Sequence, residues 1–139
     1  MLDQSSRVAL LVAGLVLASA ATTSAGDADS MKAQPRVIHL DRAAGGSRAV
    51  FTGPPVTWTM RSGYVVLQPG TSVGRHNTRR YEEAVVVLEG AGEMRITGGA
   101  TLELAPYTVA YCPPMTEHDV FNTGRRPLRY IWLVAKVQP

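Results

Sequence analysis

Three side chains of this chain could hold a metal ion together: His76 and Glu83 in "GRHNTRRYEEAVVVLEG" (residues 74–90), and His118 in "EHDVFN" (residues 117–122). There are only three histidines, so any imidazole site must draw on His39, His76 and His118. Two neutral imidazoles and one carboxylate form a set that leaves positions on iron(II) open for substrate and oxygen. The same set serves zinc with a bound water. Titratable groups that converge in an apolar fold need one another or an ion, because an unpaired buried charge is costly. Thr78, two residues beyond His76, is too weak a donor to replace an imidazole. Its expected role is hydrogen bonding around the ligands or to a metal-bound water. Asn122 lies four residues beyond His118 on the same strand face, where it is expected to close a turn beside the site.

Strands must position these groups. "VTWTM", "SGYVVLQ", "EEAVVVLE", "GEMRITG", "TLELA", "YTVAYC", "HDVFN" and "LRYIWLVA" are short runs rich in Val, Ile, Thr and aromatics. Pro69-Gly70, Gly90-Ala91-Gly92, Gly98-Gly99, Pro113-Pro114 and Thr123-Gly124 divide them. "RVIHL" (residues 36–40) reads as a leading strand, and "DRAAGGSRA" (residues 41–49) as the loop after it. Gly98-Gly99 suits a tight hairpin. Many short strands without a helical period predict an all-β sandwich or barrel. In "EEAVVVLE" Glu83, Val85 and Val87 share one face and Ala84, Val86 and Leu88 the other. Glu83 is therefore expected inside and Glu82 outside, unless a one-residue bulge reverses them. That strand and "LRYIWLVA" are apolar on both faces, which calls for a second covering layer. A partner subunit, giving a homodimer, is one source of it; the "RVIHL" and "VTWTM" segments are the other.

The 139 residues amount to one domain and an N-terminal leader. Met1 to Arg7 followed by "VALLVAGLVLASAA" and "TTSA" has the charged, apolar and small-residue regions of a signal peptide. Processing after Ala25 or after Ala20 is expected, with export to the periplasm or the medium. The apolar run falls short of the ~20 residues a membrane span needs, so no stable membrane anchor is expected. Residues 26–35 read as a flexible lead-in and residues 36–139 as the domain. The net charge of +3 comes from scattered arginines without interleaved stacking aromatics, which argues against nucleic-acid binding. Cys112 is the only cysteine, so no internal disulfide can form, and its expected place is a buried apolar one. His39 reads as a surface or interface residue.

The spacing Gly70, His76, Thr78, Glu83, Gly90 resembles the first signature of the cupin superfamily, with Thr78 where a second histidine normally stands. Pro113, Met115, His118 and Asn122 resemble the second, with Met115 in the place of a glycine. The likeness extends over residues 62–135. It implies a cupin-type jelly-roll barrel of six to eight antiparallel strands with the motif residues pointing inward. It also implies a divalent metal (Fe, Mn, Ni or Zn) held by His76, Glu83 and His118. Arg79, Arg80 and Tyr81 would then lie at the barrel mouth, either as a solvated loop or beside an anionic substrate. The expected activity is metal-dependent chemistry on a small organic substrate, of dioxygenase, isomerase or lyase type. The alternative is a metal-free barrel that binds a sugar or small acid.

Overall fold

A computed structural model of the chain describes residues 33–137. The leader and residues 26–32 of the lead-in lie outside the described residues. The described part is all β, with strands β1 (Gly46–Thr52), β2 (Arg61–Leu67), β3 (His76–Asn77), β4 (Tyr81–Glu89), β5 (Gly92–Ile96), β6 (Thr101–Leu104), β7 (Val109–Cys112), β8 (Glu117–Phe121) and β9 (Leu128–Lys136). Every pairing is antiparallel. Two sheets form, ordered β1-β2-β9-β4-β7 and β3-β8-β5-β6. With β3 only two residues long, the strand number exceeds the expected six to eight by one short element.

The period-two pattern sets which residues turn inward. Along β4 Glu83, Val85 and Val87 are buried, while Ala84 and Val86 are half-buried and Leu88 exposed. The alternation reaches Glu83 unbroken because the register shift in this strand falls later, between Val87 and Glu89. The inner face of the larger sheet consequently reads in rows across its strands. Arg61 and Glu83 both pair with Val134, and Glu83 pairs with Cys112 on its other side. The next row runs Gly63, Trp132, Val85, Ala110. Gly63 makes room for that row: a Cβ there would lie 2.5 Å from the Trp132 indole nitrogen. Val65, Val87, Met94, Leu104, Val120 and Leu128 fill the interior between the sheets with Tyr130. Complete burial of such a side chain contributes about 1.5–3 kcal/mol.

Seven of the nine expected strands form, and two do not. "RVIHL" is without regular structure, with Val37 82% exposed, because no sheet edge pairs with it. "VTWTM" follows Pro54-Pro55, two residues lacking N–H donors, and folds into bends closed by Thr57 N–H to Gly53 O and the Thr57 hydroxyl to Met60 O. In their place the "GSRAVFT" stretch, half of it read as loop, forms edge strand β1 against β2. Its order comes from ladder hydrogen bonds rather than from burial, since most of its residues are exposed. Of the Gly98-Gly99 pair only Gly98 takes positive φ, in the turn joining β5 to β6. His39 is exposed and in no strand.

The outer face of the larger sheet is covered in part by those two N-terminal segments. Leu40 and Arg42 lie beside Tyr64 and Leu88, and Met60 lies beside Ala84 and Leu133. Arg42 and Arg129 both pair with Glu89, fastening the first segment down. Val109 and Tyr111 remain 65% and 56% exposed, so the cover is incomplete.

Gly90 ends β4 with φ of 84°, and a Cβ on it would sit 2.5 Å from Pro127 O and 2.7 Å from Leu128 Cα. Gly90→Ala should lower stability by about 2–3 kcal/mol in urea unfolding. Gly45→Ala, where a Cβ meets nothing within 4 Å, should change it by less than about 1 kcal/mol. Equal stability of the two variants would contradict the packing described for this turn.

Candidate functional site

His76 and His118 are direct cross-strand partners on β3 and β8, so their rings share one face, with centroids 4.3 Å apart. Glu83 reaches them from the opposing sheet, and the site therefore bridges the two layers. Glu83 Oε2 lies 3.4 Å from His118 Nε2 and 3.9 Å from His76 Nε2. One donor atom from each of the three falls within 4.8 Å of the others, close enough to share one ion. Glu83 and His118 are buried, while the His76 side chain is 46% exposed. One member of the cluster, His76, thus borders the cavity mouth.

Both imidazoles are anchored through Nδ1. His76 Nδ1 lies 2.9 Å from the Gly74 carbonyl, which only accepts, so Nδ1 carries a proton, and in the neutral ring Nε2 keeps a lone pair. His118 Nδ1 lies 3.3 Å from Cys112 Sγ. Donation from Nδ1–H to the sulfur is the arrangement that leaves a lone pair on His118 Nε2. That buried nitrogen has no hydrogen-bond partner. An orphaned buried nitrogen facing a carboxylate, beside a second bare imidazole nitrogen, is a donor set that fits a divalent cation. Burial, and then the Glu83 charge, push the Cys112 thiol pKa up, so Cys112 stays a neutral thiol. Its position against His118 was not read from the sequence, although β7 parity puts Cys112 on the inner face opposite Glu83.

The remaining site candidates divide. Tyr81 lines the cavity next to His76, Thr78 and Glu83. Thr78 also borders it, but its hydroxyl is engaged by backbone: it donates to Pro113 O at 3.0 Å and accepts from Thr116 N–H at 3.0 Å. The residue standing for the second motif histidine therefore ties β3 to the turn before β8. Asn122 is wholly buried and closes the turn after β8. It donates to Leu67 O and Arg126 O and accepts from Gly124 N–H, each at 2.9 Å. Glu82 points outward as expected, accepting from the Tyr111 hydroxyl at 3.1 Å. The cavity measures ≈ 600 Å³, within the range of small-molecule sites, and is walled mainly by Val65, Leu67, Val120, Tyr130, Trp132 and Val134. Burial raises the Tyr130 pKa, with Glu83 and Asp119 adding to the shift, so its hydroxyl remains protonated.

Thr78→Val keeps the volume but strands the partly buried Thr116 N–H. It should cost about 1–3 kcal/mol in chemical denaturation, and Thr78→Ser should recover most of that. A valine variant as stable as the parent would show that these bonds do not hold the turn.

Comparison with known proteins agrees with this architecture. A family model described as the cupin domain matches residues 63–134. No curated protein matches the chain. Among solved structures, a cupin 2 conserved barrel domain protein from Salinispora arenicola is 22% identical, covering 75% of this chain and 91% of that one at a TM-score of 0.62. A Bacillus halodurans protein is also 22% identical, covering 78% and 88% at a TM-score of 0.63. The Cnp3 cupin domain of Schizosaccharomyces pombe is 16% identical, covering 66% of this chain and 64% of that one at a TM-score of 0.59. With both signatures in order on a double-sheeted barrel, and a family model spanning its strands from β2 to β9, the chain belongs to the cupin family.

Proposed function

We propose that this cupin holds one divalent metal ion through His76 Nε2, Glu83 Oε2 and His118 Nε2, and uses it on a small organic molecule in the barrel cavity. The observation that carries the reading is His118 Nε2, buried and without a hydrogen bond among the described residues, facing Glu83 Oε2 at 3.4 Å. Bound there, a metal supplies Lewis acidity or oxygen activation. The chain does the rest. Gly74 O and Cys112 Sγ fix the two imidazoles, and the apolar wall of Val65, Trp132 and Val134 excludes water from the ligand's body. Tyr81 and the open side of His76 face the entrance.

One observation favours a second reading, a metal-free barrel that binds a small molecule without turnover. Thr78 supplies no fourth protein ligand, its hydroxyl being taken by Pro113 and Thr116. Elemental analysis of protein purified without a histidine tag separates the two. The metal reading expects about one divalent ion per chain, and a rise in melting temperature when Mn(II), Fe(II), Ni(II) or Zn(II) is added to chelator-treated protein. His118→Ala and Glu83→Ala should each abolish that rise. Failure of every metal to bind would leave the metal-free reading.

The proposal extends to location and assembly. The Met1–Ala25 sequence supports export, to be checked by the N-terminus of protein recovered outside the cytoplasm. The incompletely covered outer face around Val109 and Tyr111 supports a homodimer, to be checked by sedimentation, where a monomer at micromolar concentration would refute it.

A further inference from the structure

Among the described residues, Arg61 is the one arginine lining the cavity, and it belongs to none of the ion pairs that engage Arg42, Arg75, Arg95 and Arg129. It opens β2 on the parity of Gly63, Val65 and Leu67, but unlike them it is exposed, so it stands at the cavity's rim. Its stem lies over Gly53, where a Cβ would come within 3.1 Å of Nε and 3.5 Å of Cγ. No side chain on that residue interferes with it. Arg61 and Glu83 flank Val134, so the guanidinium-bearing strand stands two strands from the metal triad, roughly 9–10 Å away between backbones. Between them the wall is apolar. Among the described residues Glu83 is the only carboxylate lining this space, and it already faces the two histidines.

The geometry points to a small organic monocarboxylate with a short apolar body as the molecule this cavity takes. Its carboxylate would lie on the Arg61 guanidinium, its body against Val134 and Trp132, and its far end toward His76 and Glu83. A planar guanidinium pairs with a carboxylate through two parallel hydrogen bonds, a geometry that a lysine or a neutral donor does not match. This inference rests on the cavity being the ligand site, but not on the metal.

Calorimetric titration of the full chain with hexanoate, octanoate and 3-phenylpropanoate, each against its primary amide, tests it. At least one acid should bind about tenfold or more tightly than its amide, the difference a charge-assisted hydrogen bond makes. Arg61→Gln should remove the preference and Arg61→Lys keep part of it, while both variants take up Mn(II) as the parent does. Absence of binding by all three acids, equal binding of acids and amides, or an undiminished preference in Arg61→Gln would overturn the proposal. Running the series on chelator-treated protein separates it from the metal reading. An acid preference without metal uptake sustains the carboxylate site alone, and metal uptake without acid preference sustains only the metal centre.

Discussion

Glu83 and His118 meet across the gap between two sheets, at 3.4 Å and almost wholly out of water. A carboxylate and an imidazole in an apolar interior are costly unless each finds a partner, so the surrounding chain must hold them in register. The β8 ladder does this for His118 by pairing it with His76 on one side and Ile96 on the other. The β4 ladder does it for Glu83, between Val134 and Cys112. A slip of one residue in either strand would turn its ligand outward and expose the valines behind it. The turns flanking β8 are pinned independently, the first by Thr78 and the second by Asn122. Polar side chains near the site thus divide between three that face one point and two that keep the strands from sliding.

The larger sheet separates chemistry from packing by row. Arg61, Val134, Glu83 and Cys112 form one row, and the next rows are nearly all apolar. This arrangement suits the amphipathic guest proposed for the cavity, since the guest's body would meet the valines. It also explains why Gly63 lacks a side chain: Trp132 lies across it, and the indole completes the wall.

Much of this was legible before the fold was known. Alternation in "EEAVVVLE" put Glu83 inside and Glu82 outside, and both orientations hold because the bulge in β4 comes after Val87. The spacing of His76, Glu83 and His118 carried enough pattern to name the three side chains whose donor atoms the two sheets bring within 4.8 Å of one another. "RVIHL" and "VTWTM" misled because β-propensity describes a side chain's fit to a sheet, not whether a sheet edge is at hand to receive it. β1 was missed for the converse reason, its small and polar residues being ordered by β2. Cys112 looked like a plain core residue because only register brings it to His118. Arg61 was open to discovery, as period two from Leu67 through Val65 and Gly63 leads to it. Thr78 stood out by its position in the motif, but its hydrogen bonds to Pro113 and Thr116 depend on a turn 35 residues away.

The central claim is that the bare Nε2 atoms of His76 and His118, with Glu83, form one metal centre. Imidazole nitrogen NMR on 15N-histidine-labelled, chelator-treated protein tests it directly, because the chain has three histidines and His39 stands apart from the cluster as an internal control. Two histidines should show a proton on Nδ1 and a bare Nε2, and one equivalent of Zn(II) should shift both Nε2 signals while leaving those of His39 in place. Zinc that moves neither Nε2, or moves all three histidines alike, would contradict the account.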